Sequence, residues 1–497
     1  MVRAHAPRQP SVLMTLLLDD IDVLGTSGEP GRADVTGVEH DSRRVVPGTL
    51  FCCLAGGHTD GHDHVPEAVE RGAVGIVAER DVGPLPRDVV GIRIAPGAGR
   101  AAMARLAAAF YGHPAASLLV AGVTGTNGKT TVAHLLGAVL EHAGHPTTVI
   151  GTLTGTMTTP ESTDLQRTFA AVRDAHPGPA RPAVAMEVSS HALVQSRVDT
   201  VRFDVAVFTN LSHDHLDFHG SMEAYFEAKA MLFEPERTRA AVVDADGTWG
   251  RRILERVRVP AVAVRATGVS DVRLGVGRSQ FTWRDEEVAV ALTGLVNVAN
   301  AQLAAEAAVV LGIPPHVVAE GLSSAPPVPG RMEVIDTAGL GFSVLVDYAH
   351  TPAALEAVLT EARRVAAAAT GRTIVVFGCG GDRDAMKRPA MGGAAARGAD
   401  LVVVTSDNPR HEDPGEIIDE VLRGVVPPAE LLVEPDRRRA VERAIRRARP
   451  GDVVVVAGKG HETVQVVGDR RLPFDDRAMA AEVLESLRSG RASDRGE

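Results

Sequence analysis

The sequence predicts an α/β fold in three domains: a small N-terminal α/β unit, a central P-loop-type parallel-sheet unit and a C-terminal Rossmann-like unit. Three observations point there. From residue 117 onward, short Val- and Ala-rich runs alternate with helical stretches, the pattern of a mostly parallel sheet covered by helices. Two breaker segments, Gly112-His113-Pro114 and Pro326-Pro327-Val328-Pro329-Gly330, divide the chain into 1–114, 115–329 and 330–497. Gly125-Thr126-Asn127-Gly128-Lys129-Thr130-Thr131 follows an apolar run and opens a helical one, the context of a phosphate-binding loop. A length of 497 residues agrees, since domains average roughly 150 residues.

In the first unit, the apolar stretch 11–18 ends at Asp19 and Asp20 with no cleavage site after it, so it reads as the first packed element rather than a signal peptide. Residues 34–54 read as strands around the Pro47-Gly48 turn, 65–72 as a helix, 73–78 as a strand and 100–111 as an Ala-rich helix. The second unit begins with a strand at 118–123, the loop, and a helix to Gly144. Strands at 147–150, 183–188, 203–208 and 241–243 follow, then a meander over 270–292 and a helix over 297–312 stopped by Gly312 and Pro314. The third repeats the alternation with strands at 344–347, 373–377, 401–404 and 452–456. Residues 489–497 read as a polar frayed tail, and no solenoid-type repeat is visible.

Composition narrows the function. No apolar run approaches the ~18 residues of a membrane span. Cys52, Cys53 and Cys379 are too few for a disulfide framework or a cysteine zinc site, which fits a reducing cytoplasm. A net charge of −11 argues against nucleic acid, which needs a dominant basic face. Of 52 basic residues only four are lysine: Lys129, Lys229, Lys387 and Lys459. Such a bias towards arginine marks each surviving lysine as a candidate place where a compact or deprotonable amine is needed, with chance survival as the plain alternative.

The strand ends carry the chemistry. In the loop, backbone N–H groups and the helix N-terminus suit phosphates, Lys129 adds charge and the Thr130 hydroxyl suits Mg²⁺, although Val123 stands where the strict pattern has glycine. Glu187 and the cluster of His213, His215 and His219 follow later strands; zinc is the rival to Mg²⁺ there. Lys229 lies on an amphipathic helix, where a snorkelling surface lysine is the plain alternative. In the third unit, Gly378 to Asp384, Asp407-Asn408-Pro409-Arg410 and Gly458-Lys459-Gly460-His461-Glu462 exit three strands. Their mixture of acids, amides and arginines suits a zwitterionic ligand.

Taken together, these motifs resemble the Mur ligases of peptidoglycan synthesis. The matching segments are GVTGTNGKTT (122–131), MEVSSHAL (186–193), TNLSHDHLDFHG (209–220), YFEAKAMLF (225–233), PGRMEVI (329–335), VDYAHTP (346–352), FGCGGDRDAMKRP (377–389), SDNPR (406–410) and AGKGHETVQ (457–465). The resemblance implies that ATP activates the terminal carboxylate of UDP-N-acetylmuramoyl-L-alanyl-D-glutamate as an acyl phosphate, which the amine of a diamino acid attacks. It implies Mg²⁺ as cofactor, ATP as co-substrate, and a cytoplasmic monomer acting on small molecules.

By the same resemblance, residues 125–131 with Asn300, Arg331 and Asp347 bind ATP. Lys129, Glu187, His215 and Lys229 are catalytic. Thr130, Glu187 and His215 would hold the metal together with Lys229 as its carbamate (N6-carboxylysine), a modification arginine cannot undergo. Ser42, the Gly57-His58-Thr59 turn, Thr158, Thr159, Ser189, Gln195 and Arg197 match the nucleotide-sugar site, making the first unit the UDP-binding domain. Arg383, Asp407, Asn408, Pro409, Arg410, Gly458 and Glu462 match the amino-acid site. The Asp-Asn-Pro-Arg motif favours meso-diaminopimelate over L-lysine, because a second carboxylate calls for an arginine. Met386 and Asp244-Ala245-Asp246 depart from the family pattern. The alternatives are an L-lysine-adding or folylpolyglutamate-synthase-like ligase, or a nucleotide-dependent binding protein that forms no bond.

Overall fold

The computed structural model describes residues 11–57, 59–155, 157–426 and 430–493, so His58 lies outside the described residues. Each unit is built on its own sheet. In the first, five strands run in the order Val23–Ser27, Val90–Ile94, Gly75–Ala78, Thr49–Cys52 and Gly37–Glu39, all parallel except the Val23–Ser27 edge. The opening apolar stretch is a short strand and the helix Met14–Leu18, whose Met14 and Leu17 are buried under this sheet.

The central sheet is wholly parallel, ordered Ala261–Val264, Ala241–Asp244, Val205–Phe208, Leu119–Thr124, Ala183–Glu187 and Thr147–Ile150. Leu119–Thr124 is buried at every position, as a strand covered by helices on both faces must be. Its register sets Val123 opposite Glu187 on one neighbour and Thr124 opposite Phe208 on the other. The phosphate loop therefore leaves the sheet between the ends of two strands that both carry polar exits. A three-stranded antiparallel meander over Val269–Gly275, Arg278–Trp283 and Glu286–Val290 packs on the helix Leu295–Val310.

The third sheet runs Glu333–Ile335, Ser343–Asp347, Val453–Ala457, Thr373–Phe377, Leu401–Val404 and Glu430–Val433, parallel apart from the first strand. Asp347 aligns with Ala457, and Phe377 with Val404, so their loops open along one edge. Sequence reading left several strands unassigned, among them Val23–Ser27, Val90–Ile94, Ala261–Val264, Glu333–Ile335 and Glu430–Val433, of which all but Val90–Ile94 are edges of their sheets with largely exposed or half-exposed residues. Of the tail read as frayed over 489–497, residues 489–493 are instead helical, part of Asp476–Ser493, whose Ala480 and Leu484 one turn apart anchor it on the sheet, and 494–497 lie outside the described residues.

Candidate active site between the central and C-terminal units

The phosphate loop is held shut by its own chain. Gly125 and Gly128 have positive φ; a Cβ on Gly125 would collide with the Thr209 hydroxyl, and one on Gly128 with the Asn300 amide oxygen. Asn210 clamps the loop from the neighbouring strand end, its amide accepting from Asn127 N–H at 3.0 Å and donating to Asn127 C=O at 3.1 Å. Lys129 folds back, donating to the carbonyls of Gly125 (2.9 Å) and Thr126 (2.8 Å). Thr130 begins the helix Lys129–His142 and donates to Glu187 at 3.0 Å, while Arg331 of the C-terminal unit donates to the Thr130 oxygen at 2.9 Å.

Lys229 is not a surface lysine. It is 1% exposed on the helix Met222–Ala230, its ammonium donates to Gly125 C=O at 2.8 Å, and it lies 4.6 Å from the centre of the Tyr225 ring. Two lysines thus converge on one carbonyl oxygen. Burial, with Lys129 as a like charge beside it, pushes the Lys229 amine well below its ordinary range. His215 takes a left-handed backbone at the start of a short helix and packs edge-on to His191 with ring centres 5.0 Å apart. Burial pushes its imidazole down to about 4. His219 instead meets the Ser190 hydroxyl at 2.9 Å, and among the described residues no group of three His, Cys, Asp or Glu side chains is assembled as a metal site.

A cavity of about 390 Å³ joins these groups across the unit boundary. Loop residues 126–131, Glu187, His215 and Asn300 line it from the central unit, and Arg331, Asp347 and His350 from the C-terminal unit. Asp347 is pinned by the backbone N–H groups of Met332 and Ala349, both at 2.7 Å, and Arg331 stacks 4.6 Å from the Tyr348 ring centre. Sequence reading missed Asp214, Asn210, Tyr348 and His350 as lining groups, although all four sit inside motifs it quoted.

The C-terminal strand exits do converge. Asn408 donates to Glu462 at 2.9 Å, and Lys459 reaches both. Arg410, at positive φ, donates to Gly381 C=O at 2.6 Å, and Arg383 stands exposed beside the same glycine-rich exit. Gly458 brings its backbone against the Asp407 carboxylate. Lys459 itself is fully buried. Lys387 is half-buried, and its charge is felt by His350 of its own unit and by Asp214 of the central one.

On the other side, Thr159, Ser189, Gln195 and Arg197 form one network. The Thr159 hydroxyl donates to Glu187 C=O at 2.9 Å and accepts from Ser189 N–H at 3.0 Å; Arg197 donates to Thr159 C=O and Gln195 and pairs with Glu161 at 3.0 Å. Thr158 shares a hydrogen bond with Thr152, whose N–H donates to Glu187 at 2.7 Å. Ser42 lies apart in the first unit, buried and donating to Glu67 at 2.7 Å, with Gly57 and Thr59 in an exposed turn.

Models of three Mur ligase domains match this chain in order: the Mur ligase family catalytic domain over 34–116, the middle domain over 123–308 and the glutamate ligase domain over 330–460. The chain belongs to the Mur ligase family. A relative from Streptomyces coelicolor, named UDP-N-acetylmuramoyl-L-alanyl-D-glutamate–2,6-diaminopimelate ligase, is 43% identical over 96% of this chain and 98% of its own. One of the same name from Solibacter usitatus is 44% identical over 92% and 94%. A solved structure of a ligase of that name superposes with a TM-score of 0.64 at 29% identity, covering 96% of this chain and all of the other. This Mur ligase thus shares the whole three-unit architecture with that structure. Among the described residues no helix is long and apolar enough to cross a membrane.

Proposed function

We propose that this Mur ligase is the ATP-dependent enzyme that adds meso-diaminopimelate to UDP-N-acetylmuramoyl-L-alanyl-D-glutamate in peptidoglycan precursor synthesis. The observation that carries the reading is the cavity in which loop 126–131 and Glu187 of one unit face Arg331, Asp347 and His350 of another. It supports a reaction in which a nucleotide and two further substrates meet between units.

The loop N–H groups and the start of the Lys129–His142 helix receive the phosphates of ATP, and Lys129 exchanges its loop carbonyls for phosphate oxygens. Asn300, against Gly128, sits where the nucleoside emerges. The γ-phosphoryl group passes to the terminal carboxylate, giving an acyl phosphate and ADP. The amine then attacks the acyl carbon, phosphate leaves, and an amide remains. Both anions must approach one another, and Lys129, Arg331 and Lys387 supply positive charge around that point.

Thr130 and Glu187 fit Mg²⁺: a hydroxyl and a carboxylate are hard oxygen donors, and their small number suits a cation that keeps water and phosphate oxygens in its shell. The same scarcity of protein ligands disfavours zinc. When bound, the ion neutralises phosphate charge. His215 presents a neutral imidazole, and Lys229 adds CO₂ through its uncharged amine, losing one proton and becoming a carbamate anion. That step turns the neutral amine beside the Lys129 ammonium into an anion of opposite charge to it.

The network of Thr158, Thr159, Ser189, Gln195 and Arg197 receives the muramoyl-peptide, and the first unit, through Ser42 and the 57–59 turn, the uridine diphosphate. Arg383 and Arg410 grip the second carboxylate of meso-diaminopimelate, and Asp407 and Glu462 its ammonium, with Asn408, Pro409 and Gly458 shaping the pocket. The divisions 1–114, 115–329 and 330–497 then correspond to the three substrates. Three free, buried cysteines accord with a reducing cytoplasm, where the enzyme acts as a monomer on small molecules in this reading.

Mass spectrometry of the product formed from ATP, Mg²⁺, the UDP-dipeptide and competing diamino acids tests the proposal. Incorporation of meso-diaminopimelate ahead of L-lysine is expected; preference for L-lysine would overturn the substrate assignment, and no nucleotide-linked tripeptide would overturn the ligase reading.

A further inference from the structure

Lys459 is the one lysine of the four that the reaction leaves without a part. Its side chain is wholly shielded, yet the ammonium sits among the groups of the amino-acid pocket: 3.0 Å from Asn408 Oδ1, 2.8 Å from Glu462 Oε2 and 3.8 Å from Asp407 Oδ1. Asn408 Oδ1 also accepts from Val466 N–H at 2.9 Å, and its Nδ2 donates to the same Glu462 oxygen at 2.9 Å. The amide is thereby locked. A flipped Asn408 would turn an NH₂ group against both an ammonium and a backbone N–H.

We infer that Lys459 is a positioning residue: an internal ammonium, closed to ligand, that fixes Asp407, Asn408 and Glu462 in the arrangement that receives the substrate's cationic end. The inference rests on the reading of this pocket as the amino-acid site. One compact cation, hydrogen-bonded from inside to Asn408 and Glu462 and paired at longer range with Asp407, leaves Glu462 Oε1 and Asp407 Oδ2 for the substrate. A planar guanidinium would need a wider, flatter space, which accounts for a lysine surviving in so arginine-rich a chain.

The ionisable groups facing the two carboxylates are Lys459 and His461 from the same loop, Arg437, Tyr348 and Cys379. Arg437 is already committed to a buried pair with Asp476 at 2.7 Å. Burial holds Tyr348 and Cys379 up at about 12 and His461 down at about 4, so none of them titrates near neutrality. Burial works to raise the Glu462 carboxyl, and Lys459, with smaller help from Asn408 and His461, offsets it, leaving it below its ordinary value. Without Lys459, two crowded carboxylates would share the pocket and one would keep its proton into the neutral range.

Steady-state kinetics on Lys459→Met tests this. The KM for meso-diaminopimelate should rise roughly tenfold or more, as for loss of a charge-assisted hydrogen bond, with the KM for ATP within about twofold. That KM should also climb as pH falls from about 8 to 6, a dependence the parent lacks, because protonating a carboxylate removes a grip on the ammonium. An unchanged amino-acid KM, or a loss falling equally on ATP, would overturn the inference. Should Lys459→Met fail to fold, the double variant Lys459→Met/Glu462→Gln removes cation and carboxylate together. If Lys459 acts through Glu462, the double variant matches Glu462→Gln and shows no pH dependence; additive losses would mean that Lys459 meets the substrate itself, against the inference. Glu462→Gln alone separates the premises: an unchanged amino-acid KM removes the pocket reading, whereas a raised one with a silent Lys459→Met removes only the role of Lys459.

Discussion

At the scale of single residues, the two lysines sharing Gly125 C=O make the sharpest statement. A buried amine whose folded pKa is lowered takes up fewer protons folded than unfolded, so stability falls as pH drops below the unfolded value of ~10.4 and is restored as pH rises towards it. Lys229→Met should therefore raise the melting temperature at pH 7 and flatten its rise with pH, while abolishing ligase activity; calorimetry between pH 7 and 10 checks the sign. Lys229→Arg should be equally inactive because a guanidinium forms no carbamate, whereas Lys387→Arg should retain activity, its position needing only charge. Arg410→Ala should raise the KM for meso-diaminopimelate about tenfold or more while sparing ATP, which competition between the two diamino acids would reveal as lost selectivity. These roles follow from residue type in context. What residue type alone missed is burial: nothing in Gly458-Lys459-Gly460 announces that its ammonium turns inward.

The elements show why so much of the site was readable. Central and C-terminal strands are apolar on both faces, giving unbroken Val and Ala runs, and in a parallel sheet every such run ends at the same edge. The motifs beyond those runs had to meet. Edge strands escaped because their exposed faces carry no such run: Val23–Ser27 is mostly exposed, as is Glu430–Val433. The nucleotide-sugar network was readable only through motif resemblance, since its contacts, such as Arg197 with Glu161, join segments with no common period. One helix lends itself to a direct test. Ser221 caps Met222–Ala230 by accepting from Ala224 N–H at 3.1 Å, and that helix carries both Tyr225 and Lys229. Ser221→Ala should cost about 1 kcal/mol of stability and lower activity further than stability alone explains, measured by denaturant melts alongside turnover.

For the whole molecule, the contact between Arg331 and Thr130 is a bridge between units at the point where the phosphates lie. Ligands that occupy the cleft should draw the units together, so small-angle scattering should give a smaller radius of gyration with all substrates or analogues than without them; identical curves would refute closure. Arg331→Ala should cut kcat by about a hundredfold, read by steady-state kinetics, since its guanidinium stands beside Thr130 where phosphate charge develops. The distribution of the four lysines carries a practical corollary. Lys229 and Lys459 are sealed, while Lys129 lines the cleft and Lys387 is half-buried within electrostatic reach of its Asp214 and His350. An amine-reactive ester would consequently meet almost no side-chain target outside the cleft, so the rate of acylation at Lys129 and Lys387, followed by peptide mapping, would serve as a built-in gauge of how wide the enzyme stands open.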